Sequence, residues 1–230
     1  MLVAGIDEAG RGALIGPMTI AGVCVEEKIE KKMKILGVKD SKQLSPKRRE
    51  ELYQKIGDMA KEVIVINVPA CKIDKYRSQK INLDRIEAMK MAEIITMMDA
   101  DVFYIDSLGF NSPKFKNMII EYLPKEKKGM ELVCKNYMDE NVTVVGAASV
   151  MAKVDRDKAI KEIQEKVEMD IGVGYSHDER TIKFVDSLIK SGNELPDFVR
   201  KSWVTTERLQ EQSLQGKLKD FFFAKKEKGC

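Results

Sequence analysis

The order of apolar runs along this 230-residue chain predicts an α/β fold, a mixed five-stranded sheet flanked by helices. Three strand-like runs come early, and two more then alternate with amphipathic helical stretches. A third observation places the function: an acid closes the first run and another closes the fourth, Asp7 and Asp106.

Leu2 to Ile6 reads as a short, fully buried strand. Met18 to Val25 follows Pro17 closely enough to pair with it as a hairpin. Ser45 caps a charged helix through about Lys55, with Pro46 at its first position. The β-branched run Val63 to Val68 stops at Pro69. Asn82 caps a helix from about Leu83 to Met98, with Ile86, Met89, Ile94 and Met97 on its apolar face. Ala100 to Asp106 and Glu131 to Cys134 are the last two strands. Asn136 to Thr143 reads as a loop, and a long helix begins near Ala147 and runs toward Met169. Its small opening residues suit close packing on a sheet. Gly172-Val173-Gly174 interrupts, and helical stretches follow around Glu179–Ser191 and Thr205–Gln212.

Charged residues are 33% and hydrophobic ones 43%, so the chain is globular rather than disordered. A formal net charge of +3 excludes a basic nucleic-acid coat, so any grip on nucleic acid must come from local clusters of Lys and Arg. Cys24, Cys71, Cys134 and Cys230 show no C-x-x-C pairing, which indicates neither a zinc site nor a disulfide framework. No signal-peptide pattern or membrane-length apolar stretch is present. A cytoplasmic monomer is the expectation.

The stretch Gly5-Ile6-Asp7-Glu8-Ala9-Gly10-Arg11-Gly12 puts two adjacent acids at the mouth of a buried strand. Such a pair is costly unless a cation or proton neutralises it. The arginine between glycines adds a positive group on backbone able to approach a phosphate. If the strands ending at Asp7 and Asp106 are parallel neighbours, about 4.8 Å apart, both acids can reach one ion. Alternation points Glu8 the other way unless the chain already turns there. The competing reading is that Asp7 and Asp106 cap the turns after their strands. An oxygen-only cluster favours Mg²⁺ or Mn²⁺ over zinc, and two such ions would serve phosphodiester hydrolysis. Asp139 or Glu140 could complete the site, and spacing favours neither. A Walker A reading fails, because Arg11 and Gly12 stand where Lys and Ser/Thr are needed.

These stretches, with Ile15-Gly16-Pro17, Val38–Leu44, Ser45-Pro46, Tyr104–Ser107, Ala147–Lys153, Arg156-Asp157, Gly172–Tyr175, Arg200–Trp203 and Thr205, resemble ribonuclease HII, particularly its archaeal form. The resemblance spans nearly the whole chain to about Arg208. It implies a ribonuclease H-like catalytic domain over 1–171, a small helical C-terminal domain over 172–212 and a flexible tail over 213–230. It also implies metal-dependent endonuclease cleavage of RNA–DNA hybrids and 5′ of single ribonucleotides in duplex DNA, leaving 3′-hydroxyl and 5′-phosphate ends, in ribonucleotide removal and primer processing. By motif, the metal-site and catalytic acids are Asp7, Glu8, Asp106 and Asp139, holding Mg²⁺ or Mn²⁺. Gly10, Arg11 and Gly12 match the turn that reads the ribose 2′-hydroxyl, and Tyr175 the ring that stacks on the following deoxyribose. Lys42 and Lys153 match phosphate contacts, against a plain reading as solvated lysines. The chain departs from the family pattern at Ala13, at Ser176-His177, and around Asp139, where a Tyr-Pro pair and a serine are missing.

Gln215, Leu218, Phe221 and Phe222 have the spacing Q-x-x-L-x-x-F-F, which on a helical turn puts Leu218 and the rings on one side. This is similar to the peptide with which replication and repair proteins bind a sliding clamp of the PCNA type. The alternative is an aromatic helix end folded back on its own domain.

Overall fold

The computed structural model describes residues 1–38, 44–107 and 112–227, with side chains described to 216 in the last helix. Among them five strands form one sheet in the order β3-β2-β1-β4-β5. These are β1 (Leu2–Ala9), β2 (Met18–Glu26), β3 (Glu62–Val68), β4 (Val102–Asp106) and β5 (Glu131–Lys135). β1 pairs antiparallel with β2 and parallel with β4, so the expected hairpin and mixed sheet are both present. β5 continues the parallel half beside β4.

The described helices are α1 (Glu27–Ile35), α2 (Pro46–Met59), α3 (Ala70–Ser78), α4 (Leu83–Met97), α5 (Ser112–Tyr122), α6 (Met138–Asn141), α7 (Thr143–Val167), α8 (Glu179–Ser191) and α9 (Val204–Glu227). The Ser45 side chain accepts from Arg48 N, and that of Asn82 from Arg85 N, as the two capping signals require. On α4 the apolar face is rotated from the expected one. Met97 is exposed and Met98 buried, because the core side follows Ile86, Met91, Ile94 and Ile95. The segment expected to loop from Asn136 to Thr143 contains α6, and α7 starts at Thr143 rather than near Ala147. β-branched Thr143, Val144 and Val145 hide that start from propensity, but all three are buried against the sheet.

Strand alternation divides the core. Ala4 and Ile6 of β1 join the cluster under α4, with Ile20, Phe103 and Ile105. Val3 joins the opposite cluster under α7, with Ala21, Val23 and Ala148. Gly5 shares that second face, and a Cβ there would collide with the backbone of Val144 and Val145. Glycine is what lets α7 lie against β1. A third cluster unites Leu14, Ile15, Ile160, Ile171, Phe184 and Val199. It joins the loop after β1 to the end of α7, to α8 and to the segment before α9.

Candidate active site

The sheet's parity fixes where the acids go. Ile6 pairs with Ile105, so Asp7 and Asp106 stand one register step further on adjacent parallel strands. Both take the α7 face: Asp7 follows Val3 and Gly5, and Asp106 follows Tyr104, whose side chain packs into the α7 cluster. Glu8 falls on the α4 face instead, since β1 stays extended through Ala9. The chain does not turn at Glu8. The end of the strand is nevertheless open to both sides, and all four expected acids, Asp7, Glu8, Asp106 and Asp139, line one cleft of about 570 Å³.

Each acid is deeply buried. Asp7 is 4% exposed, and burial pushes its carboxyl up to about 6, against a hydrogen bond from Ser149 and the Lys153 charge, while Asp106 reinforces the rise. Glu8 is held well above the ordinary glutamate range by burial, then by the charges of Glu87 and Asp7. Asp106 Oδ1 accepts from Met138 N at 2.8 Å, a bond to α6, which follows β5 rather than the strand that Asp106 ends, and that bond seats α6. Asp139 rides on α6 into the cleft. Glu140, the alternative, is exposed.

A divalent cation suits this donor set. The ligands are hard carboxylates, they repel one another when ionised, and buried Glu8 Oε2 has no hydrogen-bond partner among the described residues. As they stand, no three described Asp, Glu, His or Cys side chains meet around one point in ligating geometry.

Opposite the acids lies the glycine turn. Gly10 has φ +79°, and a Cβ there would sit 2.6 Å from Pro17 O. Its N–H donates to the Tyr175 hydroxyl at 3.1 Å. Its carbonyl accepts from Arg200 Nη2 at 2.5 Å, and the Arg11 carbonyl accepts from Nη1 at 2.6 Å. Ala13 bridges to Tyr175, and Leu14 N donates to Gly174 O at 2.8 Å, so the Gly-x-Gly-Tyr segment is tied to the loop after β1. The Tyr175 ring is backed by the Arg156 guanidinium, 4.3 Å from its centroid, and by His177 in a stacked pair. Arg11 does not reach freely into the cleft: its guanidinium pairs with Asp84 and, at 3.1 Å, with Glu87 on α4.

Lys153 lines the cleft and donates to Ser149 Oγ at 2.7 Å. Lys42 lies outside the described residues, as do the side chains of Leu218, Phe221 and Phe222; Gln215 is exposed on α9. Sequence reasoning did not single out Ser149, Arg156, Glu87 or Arg200. The first two and Arg200 lay inside recognised motifs, but their roles depend on partners far away in the chain. Buried Glu87 carried no sequence signal, being one acid on a charged helix.

The architecture and the buried acids at adjoining strand ends define a nuclease of the ribonuclease H-like class. The family described as Ribonuclease HII matches residues 4–206. A ribonuclease HII from Methanobrevibacter smithii is 39% identical over 212 residues, covering 91% of this chain and 99% of that one. The crystal structure of ribonuclease H2 from Pyrococcus horikoshii OT3 superposes with a TM-score of 0.84 at 32% identity, covering 93% of this chain and 99% of that one. Ribonuclease HII of Archaeoglobus fulgidus, solved as a complex with PCNA, gives a TM-score of 0.79 at 35% identity over 88% of this chain and 95% of that one. The chain belongs to the ribonuclease HII family: it is a type 2 ribonuclease H, an endoribonuclease of RNA–DNA hybrids.

Proposed function

We propose that this ribonuclease H also incises 5′ of single ribonucleotides embedded in duplex DNA, leaving 3′-hydroxyl and 5′-phosphate ends, with Mg²⁺ or Mn²⁺ held by Asp7, Glu8, Asp106 and Asp139. The observation that carries the reading is the cleft, where four buried carboxylates face a glycine turn bonded to a tyrosine. When bound, the ions would supply Lewis acidity and a water of lowered pKa.

The remaining work falls to the chain. Asp7 has the Ser149 hydroxyl and the Lys153 charge beside it, and both favour the ionised form in which it would hold a cation. Lys153 offers a cation at the scissile phosphate, and Lys42 is proposed to do the same. The Gly10–Gly12 backbone reads the 2′-hydroxyl, which alone separates ribose from deoxyribose. Open space around Gly12 supports a close approach there. Tyr175, anchored to Gly10 and backed by Arg156, is placed to stack on the next sugar. Arg11 contributes through its peptide rather than its guanidinium, which α4 already engages.

The tail is proposed to bind a PCNA-type clamp through Gln215, Leu218, Phe221 and Phe222. Support comes from the complex of the A. fulgidus relative and from the helical backbone of α9 through Glu227. Among the described residues no helix is long and apolar enough to cross a membrane, and a cytoplasmic monomer is the proposed setting.

The test is a duplex carrying one embedded ribonucleotide, with Mg²⁺ and Mn²⁺ titrated separately. The wild type should nick it once, on the 5′ side. Asp7→Asn should lower cleavage by about 10³-fold or more while leaving duplex binding intact. Metal-dependent activity surviving in Asp7→Asn would refute the assignment.

A further inference from the structure

Glu87 is a buried acid that the metal reading leaves unused. It lies on the inner face of α4 among Ile86, Ala88 and Met91, and is 1% exposed. Its Oε2 accepts from Arg11 Nη1 at 3.1 Å, while Asp84, one turn earlier, takes Nη2. Its other oxygen, Oε1, is buried with no hydrogen-bond partner among the described residues. It is also the foremost charge acting on Glu8. Glu87 therefore lies near Glu8 while holding Arg11, in the space between α4 and the end of β1. Burying a half-partnered carboxylate there is costly.

What that cost maintains is the orientation of one peptide. Arg11 is held at both ends, its carbonyl by Arg200 and its guanidinium by Glu87 and Asp84. Gly10 before it and Gly12 after it have no side chains to fix their planes, so the turn's geometry depends on anchors of this kind together with the Gly10 bonds to Tyr175 and Arg200. Asp84 is half exposed, so water competes for its end, whereas the Glu87 end is buried.

We propose that Glu87 is a positioning residue for ribonucleotide selection: by pinning Arg11 to α4 it fixes the Gly10–Gly12 backbone that meets the ribose. This rests on the reading that the turn senses the 2′-hydroxyl. Reach, rather than charge, is then what position 87 must supply.

Two variants separate these. Glu87→Asp keeps the carboxyl but falls short of Arg11, whereas Glu87→Gln keeps the length and an acceptor. On the embedded-ribonucleotide duplex, Glu87→Asp should lower kcat roughly tenfold with little change in KM, and lower the ratio of that activity to hybrid cleavage. Glu87→Gln should stay within about threefold of wild type. Adding Glu87→Asp to Arg11→Ala should cost nothing beyond Arg11→Ala alone, since both remove one anchor. Wild-type kcat in Glu87→Asp, a larger loss in Glu87→Gln than in Glu87→Asp, or multiplying losses in the double variant would each overturn the proposal. A wild-type protein that leaves the embedded ribonucleotide uncut would refute the single-ribonucleotide reading instead. The same cycle, scored by hybrid cleavage, would then decide whether Glu87 acts through Arg11.

Discussion

Asp7 illustrates what one residue inherits from its surroundings. Its place was legible, because an acid ending an apolar run next to a glycine turn has few inexpensive explanations. Asp106 was legible by the same logic, and β1–β4 pairing puts the two side by side. Glu8 was only half legible: its motif marks it, but its face depends on where β1 ends, and the strand runs three residues past Ile6. Asp139 could not be told from Glu140 by spacing, because the helical turn that buries one and exposes the other is anchored by Asp106, which sequence distance conceals. The elevated carboxyl of Asp7 has a consequence for stability. An acid whose pKa rises from 3.8 to about 6 on folding binds its proton more tightly in the native state. The stability this gives is fully present below pH 3.8 and is lost as pH climbs through 6. In EDTA at pH 8, Asp7→Asn should therefore be more stable than wild type by roughly 1–3 kcal/mol, at about 1.4 kcal/mol per pKa unit. The gain should vanish near pH 4. Thermal melts across that range check it, and equal melting at pH 8 would contradict the burial argument.

Elements came through where local signals were strong. Ser45-Pro46 and Asn82 gave two helix starts because capping is a short-range interaction. α1, α3 and α5 were not legible. α1 is mostly charged with only Met33 buried, and α3 and α5 show only two buried apolar residues each, too few for a clear period. The start of α7 was hidden by β-branched residues whose preference tertiary burial overrides. The loop after β1 depends on a different element altogether. Arg200, fully buried just ahead of α9, donates to the carbonyls of Gly10, Arg11 and Gly16 and lies under the Trp203 ring at 4.7 Å. Arg200→Met keeps the bulk but removes the donor that these three carbonyls share. It should cost about 3 kcal/mol in urea unfolding, with a larger fractional loss of cleavage than of hybrid binding. A loss below about 1 kcal/mol would mean water replaces the fork.

For the whole molecule, the mixed sheet was readable from the order of its runs, since acids at parallel strand ends and a hairpin at the amino end leave few arrangements. The third apolar cluster was not, because it unites residues from Leu14 to Val199 that no local pattern links. At this scale the tail reading has a simple test. Phe221→Ala with Phe222→Ala should leave nicking of short duplexes unchanged and weaken clamp binding by roughly tenfold or more, at about 2 kcal/mol or more for an aromatic anchor. Calorimetry with the purified clamp checks this, and undiminished binding would return the rings to the protein's own fold.

The fork of Arg200 closes on a peptide some 190 positions upstream of it. A growing chain emerging from the ribosome has made its acidic residues long before it makes this clasp, in a place crowded with ribosomal and messenger RNA. The loop therefore takes its shape only after Arg200 has been made, and a product truncated before that residue carries the acids without the grip that holds their companion loop.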